Sequence, residues 1–249
     1  MSDPRFMRTQ ALLGDKSFSN LQHSSVMIIG LGAVGGYALE ALARAGIGKL
    51  VLIDFDKVDV TNINRQILAL DSTIGMPKTA VADKRVHDIN PNCQVITKEM
   101  FINSQNIDEI LSEPIDFVVD AIDALNPKCD LIQALYSKNI PFISSMGAAL
   151  KTDASRIKLQ TLDKTKNCHL ARFIRKRLKR RGVDISKILC VSSDEQINLP
   201  ETALFLEADE NPSNNTRQRH TMGSLPTITA IFGLTIANAV ILSLSKLAK

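Results

Sequence analysis

"IIGLGAVGGYALEALARAGIGKLVLIDFD", residues 28–56, opens on a glycine loop and closes on two aspartates. Gly30, Gly32 and Gly35 stand in GxGxxG spacing between an apolar run and a helical one. In such a unit the first glycine permits a tight turn, the second lets a phosphate approach the backbone, and the third lets helix and strand pack closely. The helix start offers free N–H groups and a positive dipole end to an anion. Asp54 falls 24 residues after Gly30, at the end of the next apolar run, where a carboxylate accepts hydrogen bonds from ribose hydroxyls. The stretch therefore reads as a nucleotide-binding strand, loop, helix and strand. The glycines do not by themselves separate NAD from ATP, so a NAD-binding oxidoreductase or sensor stays open at this point.

The same alternation continues on both sides of the motif. Strands are expected at 26–29, 49–54, 94–97, 116–121 and 141–145, with helices at about 34–45, 77–88, 104–112 and 126–138. Pro77 suits a first helical turn, and "NPN" at 90–92 breaks the helix after it. This order predicts an α/β, Rossmann-like, mostly parallel sheet flanked by helices. After residue 150 the rhythm changes. Residues 154–162 fit an antiparallel strand, 168–182 a basic helix, 187–193 and 202–208 further strands, 209–223 a polar mobile loop, and 224–247 a C-terminal core helix. Residues 1–150 are read as the nucleotide-binding core with an N-terminal arm, and 151–249 as a C-terminal extension of the same domain.

Composition narrows the class. Hydrophobic residues make up 45% and charged residues 22%, which suits a soluble globular chain. Cys93, Cys129, Cys168 and Cys190 lie far apart with no CxxC pair, so no zinc site is expected and a reduced, cytoplasmic setting is the simplest reading. "MSDPRFMRTQ" lacks the apolar stretch of a signal peptide. The polar Thr, Asn and Ser residues of 225–249 favour a buried helix over a membrane span.

The segment after the second strand separates the nucleotides. Arg65 in "NINRQ" and Lys78 in "GMPK" bring two cations beside the expected ligand, a need of triphosphate chemistry more than of hydride transfer. Asp123, in "VVDAIDA", comes after a strand and points into the crevice at the carboxyl ends of the sheet. A lone carboxylate there suits Mg2+ shared with phosphate oxygens. Taken singly, Arg65 and Lys78 could be surface charges and Asp123 a helix N-cap. The set taken together favours the nucleotide.

"GLGAVGG", "LIDFD", "NINRQ", "GMPK" and "DAID", in this order, resemble the ubiquitin-activating-type superfamily, whose bacterial members adenylate sulfur-carrier proteins. The resemblance covers roughly residues 5–150. It implies that Asp54 binds ribose, Arg65 and Lys78 bind the phosphates with Asn62 close by, and Asp123 holds Mg2+. It also implies that Arg8, in "RFMRTQ", reaches the site of a partner subunit in a homodimer. The expected chemistry is conversion of a carboxylate to an acyl-adenylate by MgATP. Two features common in that superfamily are missing: paired CxxC motifs, and a cysteine in the loop before the last helix. Cys190 sits in an apolar run and is expected to be inert.

The second half resembles the tRNA threonylcarbamoyladenosine dehydratase branch in "HLARFIRKRLKRRGVD", "CVSSDE" and "GSLPTITAIFGLTIANAVI". That branch implies ATP-dependent closure of a hydantoin ring on tRNA, with an intramolecular nucleophile and hence no enzyme cysteine. The alternative is a zinc-free adenylyltransferase for a ubiquitin-like sulfur carrier. The resemblance leaves open a bound monovalent cation and a cysteine-desulfurase or sulfur-acceptor partner.

Arg172, Arg175, Lys176, Arg177, Lys179, Arg180 and Arg181 form a run of seven cations without an acid. Leu170, Phe173, Ile174 and Leu178 make an apolar stripe by which the helix can dock. Like charges at this spacing destabilise a helix, and contact with tRNA phosphates supplies a reason for them. A merely solvated face is the competing reading.

Overall fold

The computed structural model describes residues 3–196, 204–206 and 220–246. Two short helices, α1 (Met7–Leu13) and α2 (Asp15–Gln22), precede β1 (Ser25–Ile29). Next come α3 (Gly35–Arg44), β2 (Lys49–Asp54), α4 (Lys78–Ile89), β3 (Gln94–Glu99), α5 (Ile107–Ile110), β4 (Phe117–Asp120), α6 (Leu125–Ser137) and β5 (Phe142–Ser145). The chain continues through β6 (Ile157–Thr161), α7 (His169–Arg180), β7 (Leu189–Ser193), β8 (Leu204–Leu206), β9 (His220–Met222) and α8 (Pro226–Ser245).

Seven strands form one sheet in the order β3-β2-β1-β4-β5-β7-β6, parallel except for the edge strand β6, which runs antiparallel to β7. The expected α/β architecture, with its antiparallel extension and C-terminal helix, is the one observed. Val26, Met27, Ile28 and Ile29 are almost wholly buried, as in a sheet covered on both faces. On one face Val26, Ile28, Leu50 and Leu52 pack with α3, α4 and α8. On the other, Met27, Ile29, Val51 and Ile53 pack with α5 and α6. α7 lies against α6 through Ala171, Ile174 and Leu178. The chain leaves β1 to one side for β2 and crosses to the other for β4. The crevice outside the carboxyl ends of β1 and β4 is thus the topological switch point, where ligands bind in open α/β sheets.

Three expectations are corrected. The helix over 104–112 is only the four-residue α5, because Asn103 and Asn106 close side-chain turns before it: Asn106 Oδ1 accepts the Asn103 N–H at 2.9 Å and Asn103 Oδ1 the Gln105 N–H at 2.8 Å. Residues 220–222 of the expected loop pair with β8, Leu206 opposite His220; residues 209–219 lie outside the described residues. On α7 Phe173 is 45% exposed, and Ala171 takes its place in the buried stripe with Ile174 and Leu178. α8 is the expected core helix, and it enters the core by one face. Ile228, Phe232, Ile236 and Val240 enter the core, whereas Leu234 is exposed. By length and composition α8 is the one helix among the described residues that could cross a membrane. It packs closely on α3, where a Cβ on Gly233 would lie 2.4 Å from the Val34 carbonyl.

Candidate active site

The glycine loop has the geometry its spacing suggests. Gly30 adopts φ +91°, and a Cβ there would come within 2.8 Å of the Ala121 carbonyl. A Cβ on Gly35 would overlap the Gly30 carbonyl at 1.8 Å, so α3 could not start so close to β1 with any other residue. Around Gly32 the ground is open: a Cβ would meet nothing nearer than the Gln66 side-chain nitrogen at 3.9 Å.

Asp54, at the end of β2, is buried, and both its carboxylate oxygens already hold the loop. Oδ2 accepts the Leu31 N–H at 2.6 Å and Oδ1 the Asp56 N–H at 2.8 Å. Each oxygen keeps a second lone pair for another donor. Asp54→Ala would orphan two backbone donors at a cost of about 1–3 kcal/mol each. Without nucleotide, the thermal midpoint is expected to drop by about 2–4 °C for every kcal/mol lost. An unchanged midpoint would mean that these bonds do not hold the loop.

The segment after β2 folds back over the loop. Gln66 borders Gly32, and Ile67 packs on Gly36. On this segment Asn62 Oδ1 accepts the Asp59 N–H at 3.3 Å. Arg65 Nη1 donates to the Thr61 carbonyl at 2.9 Å and Asn64 Oδ1 at 2.8 Å. Lys78, at the start of α4, is no surface charge: it is buried and donates to Asp56 Oδ2 at 2.9 Å. Asp56 is the second aspartate of "LIDFD", and only the fold reveals its pairing. It uses one of the three Lys78 donors, leaving two for a ligand. Gln66 was legible only as part of "NINRQ".

Asp123 lies in the loop between β4 and α6, exposed and without a hydrogen bond or ion pair to any described residue. It is not a helix cap; Ala124 occupies that position with no side-chain bond. Beneath it is a buried ion pair of Asp120 and Lys128 that the sequence did not suggest. Among the described residues no three His, Cys, Asp or Glu side chains gather as a metal cage.

Arg8 is not brought to this crevice. It is exposed on α1, two residues after Phe6, and Phe6 packs beside Gly46, at the far end of α3 from the glycine loop. The six cations of α7 and Arg181 at its C-cap divide into two groups. Arg175 donates to Thr165, Arg177 to Asn126 Oδ1, and Arg181 pairs with Asp130 at 2.7 Å. Arg172 stacks on Phe173 at 5.0 Å, and Lys176, Lys179 and Arg180 are exposed with no ion pair among the described residues. Arg177 thereby ties the basic helix to a residue three positions beyond Asp123. A cavity of about 320 Å³ opens at the start of α7, lined by Asn167, Cys168, His169, Arg172, Arg175 and Gln196. A larger hollow of about 520 Å³, lined by Arg5, Arg44 and Arg85 among others, lies at the opposite end of α3 and α4. Cys190 is fully buried, and burial pushes its thiol up to about 12, out of the range of a working nucleophile.

Fold and crevice together define a Rossmann-like α/β protein with a glycine loop at the switch point of its sheet and a buried lysine nearby. The chain belongs to the ThiF family, whose model matches residues 6–249. It is 34% identical to the tRNA threonylcarbamoyladenosine dehydratase of Bacillus subtilis, over 97% of this chain and 95% of that one. The crystal structure of the Escherichia coli tRNA N6-threonylcarbamoyladenosine dehydratase in complex with ATP superposes with a TM-score of 0.85 at 32% identity, covering 97% of this chain and 94% of that one. The molybdopterin-synthase adenylyltransferase of Escherichia coli is 33% identical over 53% of this chain and 52% of its own length.

Proposed function

We propose that this chain is an ATP-dependent tRNA threonylcarbamoyladenosine dehydratase. The observation that carries the reading is the extent of the likeness. The Bacillus subtilis dehydratase matches across 97% of the chain, basic helix and α8 included, whereas the molybdopterin-synthase adenylyltransferase matches over 53%. This favours the tRNA substrate over a ubiquitin-like sulfur carrier.

In the proposed reaction the threonylcarbamoyl carboxylate of the modified adenosine beside the anticodon attacks the α-phosphorus of ATP and pyrophosphate leaves. A nitrogen of the same group then attacks the activated carbonyl, loses its proton and expels AMP as the hydantoin ring closes. Both ends of the new bond belong to one substrate, so holding it supplies the proximity advantage. No enzyme thiol is needed.

Open ground at Gly32 admits a phosphate against the backbone. Asp54 takes the ribose through its remaining lone pairs, and Lys78 and Arg65 take phosphate oxygens through their spare donors, with Asn62 alongside. Asp123 is the residue to hold Mg2+: one exposed, unbonded carboxylate facing phosphates is the donor set that ion favours. When bound, Mg2+ neutralises charge that builds on the departing pyrophosphate. Arg8 serves the site of a second copy in a homodimer. A cytoplasmic location, a monovalent cation and a sulfur-system partner belong to the same reading by family likeness. The test is mass spectrometry of threonylcarbamoyl-modified tRNA incubated with enzyme and ATP. Loss of one water from the modified adenosine is expected; an unchanged mass, with adenylation of a carrier protein ending in Gly-Gly instead, would replace this reading with the alternative.

The exposed cations of α7 are the proposed tRNA contact. Arg175 and Arg181 are already tied to Thr165 and Asp130, so the informative change is Arg172, Lys176, Lys179 and Arg180 together to Gln. tRNA affinity should fall while ATP affinity holds. The slope of log affinity against log salt should flatten by about 0.7–0.9 for each phosphate no longer neutralised. An unchanged slope would make these cations a solvated face.

A further inference from the structure

Lys128 and Asp120 form an ion pair in which neither side chain has any solvent exposure, with Nζ 2.9 Å from Oδ2. Burying two charges costs desolvation that their attraction barely offsets, and apolar residues of similar size are often as stable in such a place. Stability is thus a weak reason for the pair, and its bonding pattern points to another. Lys128 Nζ donates to the Ile122 carbonyl at 2.8 Å. Asp120 Oδ1 accepts the Ile122 N–H at 3.1 Å, and Oδ2 accepts the Ser144 hydroxyl of β5 at 2.6 Å. Ile122 is therefore held at both its N–H and its carbonyl, and that carbonyl belongs to the peptide leading into Asp123. On the other side, the Ala121 N–H donates to the Ile29 carbonyl at 2.9 Å, and the Ala121 carbonyl lies against Gly30. Residues 120–122 are clamped between Lys128 and the glycine loop. Asp123, with no bond of its own among the described residues, takes its place from that clamp.

We propose that Lys128 is a positioning residue for adenylation: through Asp120 and the Ile122 carbonyl it fixes the peptide that presents the Asp123 carboxylate to the phosphates. This rests on the reading of Asp123 as the Mg2+ ligand. A misplacement of about 1 Å at a reacting centre costs about 100-fold in rate, so the clamp is expected to act on turnover and Mg2+ demand and to leave tRNA affinity alone.

The test uses Lys128→Met with Asp120→Asn, which removes both buried charges together and leaves neither unpaired. Three quantities are compared with wild type: thermal midpoint, amide exchange over residues 117–126 in nucleotide-free protein, and the Mg2+ concentration giving half-maximal pyrophosphate release. The expected result is a midpoint near wild type, exchange at Ala121 and Ile122 faster by about tenfold or more, and a Mg2+ requirement raised at least about tenfold with KM for tRNA unchanged. A folded double variant with wild-type exchange and wild-type Mg2+ demand overturns the proposal. If the double variant does not fold, Lys128→Arg keeps the charge but puts a larger planar fork in place of the compact ammonium, so the donors leave the positions that Nζ holds. It should shift the same quantities in the same direction, and wild-type behaviour again overturns the proposal. Asp123→Ala run in parallel separates the two readings. A wild-type Mg2+ requirement there removes the role of Asp123, while the exchange data still decide whether Lys128 holds the loop.

Discussion

Replacing Asp123 by alanine is expected to lower tRNA-dependent pyrophosphate release by about two to three orders of magnitude and to leave the thermal midpoint in place. The two halves of this expectation have separate causes. The fold survives because the side chain is exposed, caps no helix and pairs with no described residue. Activity is expected to fall because, in the proposed site, Asp123 is the ligand for Mg2+ beside the phosphates, and without it charge developing on pyrophosphate goes uncompensated by several kcal/mol. Asp123→Asn keeps the shape and loses the charge, so it should fall nearly as far. The measurement is pyrophosphate release under saturating ATP and modified tRNA, with calorimetric unfolding as control. Near wild-type turnover in both variants would remove the metal role.

The central unit was legible nearly to the residue because its restraints are local. Gly30, Gly35 and the apolar runs around them fix β1, α3 and β2 through backbone sterics that depend on few distant contacts. Lys49–Asp54 is the strand the sequence predicts. The N-terminal helices are different. α1 and α2 are too short for periodicity to declare them, and they are held by Phe6, Leu13, Phe18 and Leu21 burying against the core. Charge placement was the least legible feature. A lysine one turn into a helix reads as a surface residue, yet Lys128 is enclosed because α6 packs on the strand end that carries Asp120. Lys78 is buried for a similar reason, with Asp56 supplied by the loop after β2. Pairings of this kind depend on what the fold brings together, and sequence spacing does not encode them. On α7 the stripe was shifted: the helix turns Ala171 inward and leaves Phe173 outside under Arg172.

Arg8→Ala should lower activity on the order of 100-fold by removing one cation from the transition-state phosphates, with no large loss of dimer. Arg8 is exposed, and its neighbour Phe6 is anchored at the end of α3 away from its own glycine loop. In the proposed homodimer the arginine therefore completes the partner's site. That arrangement makes a prediction that no single variant can test. Arg8→Ala subunits keep a whole crevice but lack the reaching arginine, and Asp123→Ala subunits keep the arginine but lack a working crevice. Mixed dimers contain one complete site, so an equal mixture after random exchange should recover about a quarter of wild-type activity. Asp123→Ala is the better complementing partner than any change at Asp54, which is buried and carries two backbone bonds of the glycine loop. The experiment is activity against mixing ratio, with subunit exchange verified by native mass spectrometry of a tagged and an untagged form. Recovery that peaks at the equal mixture is expected. Absence of recovery despite verified exchange would show that Arg8 does not act across the dimer.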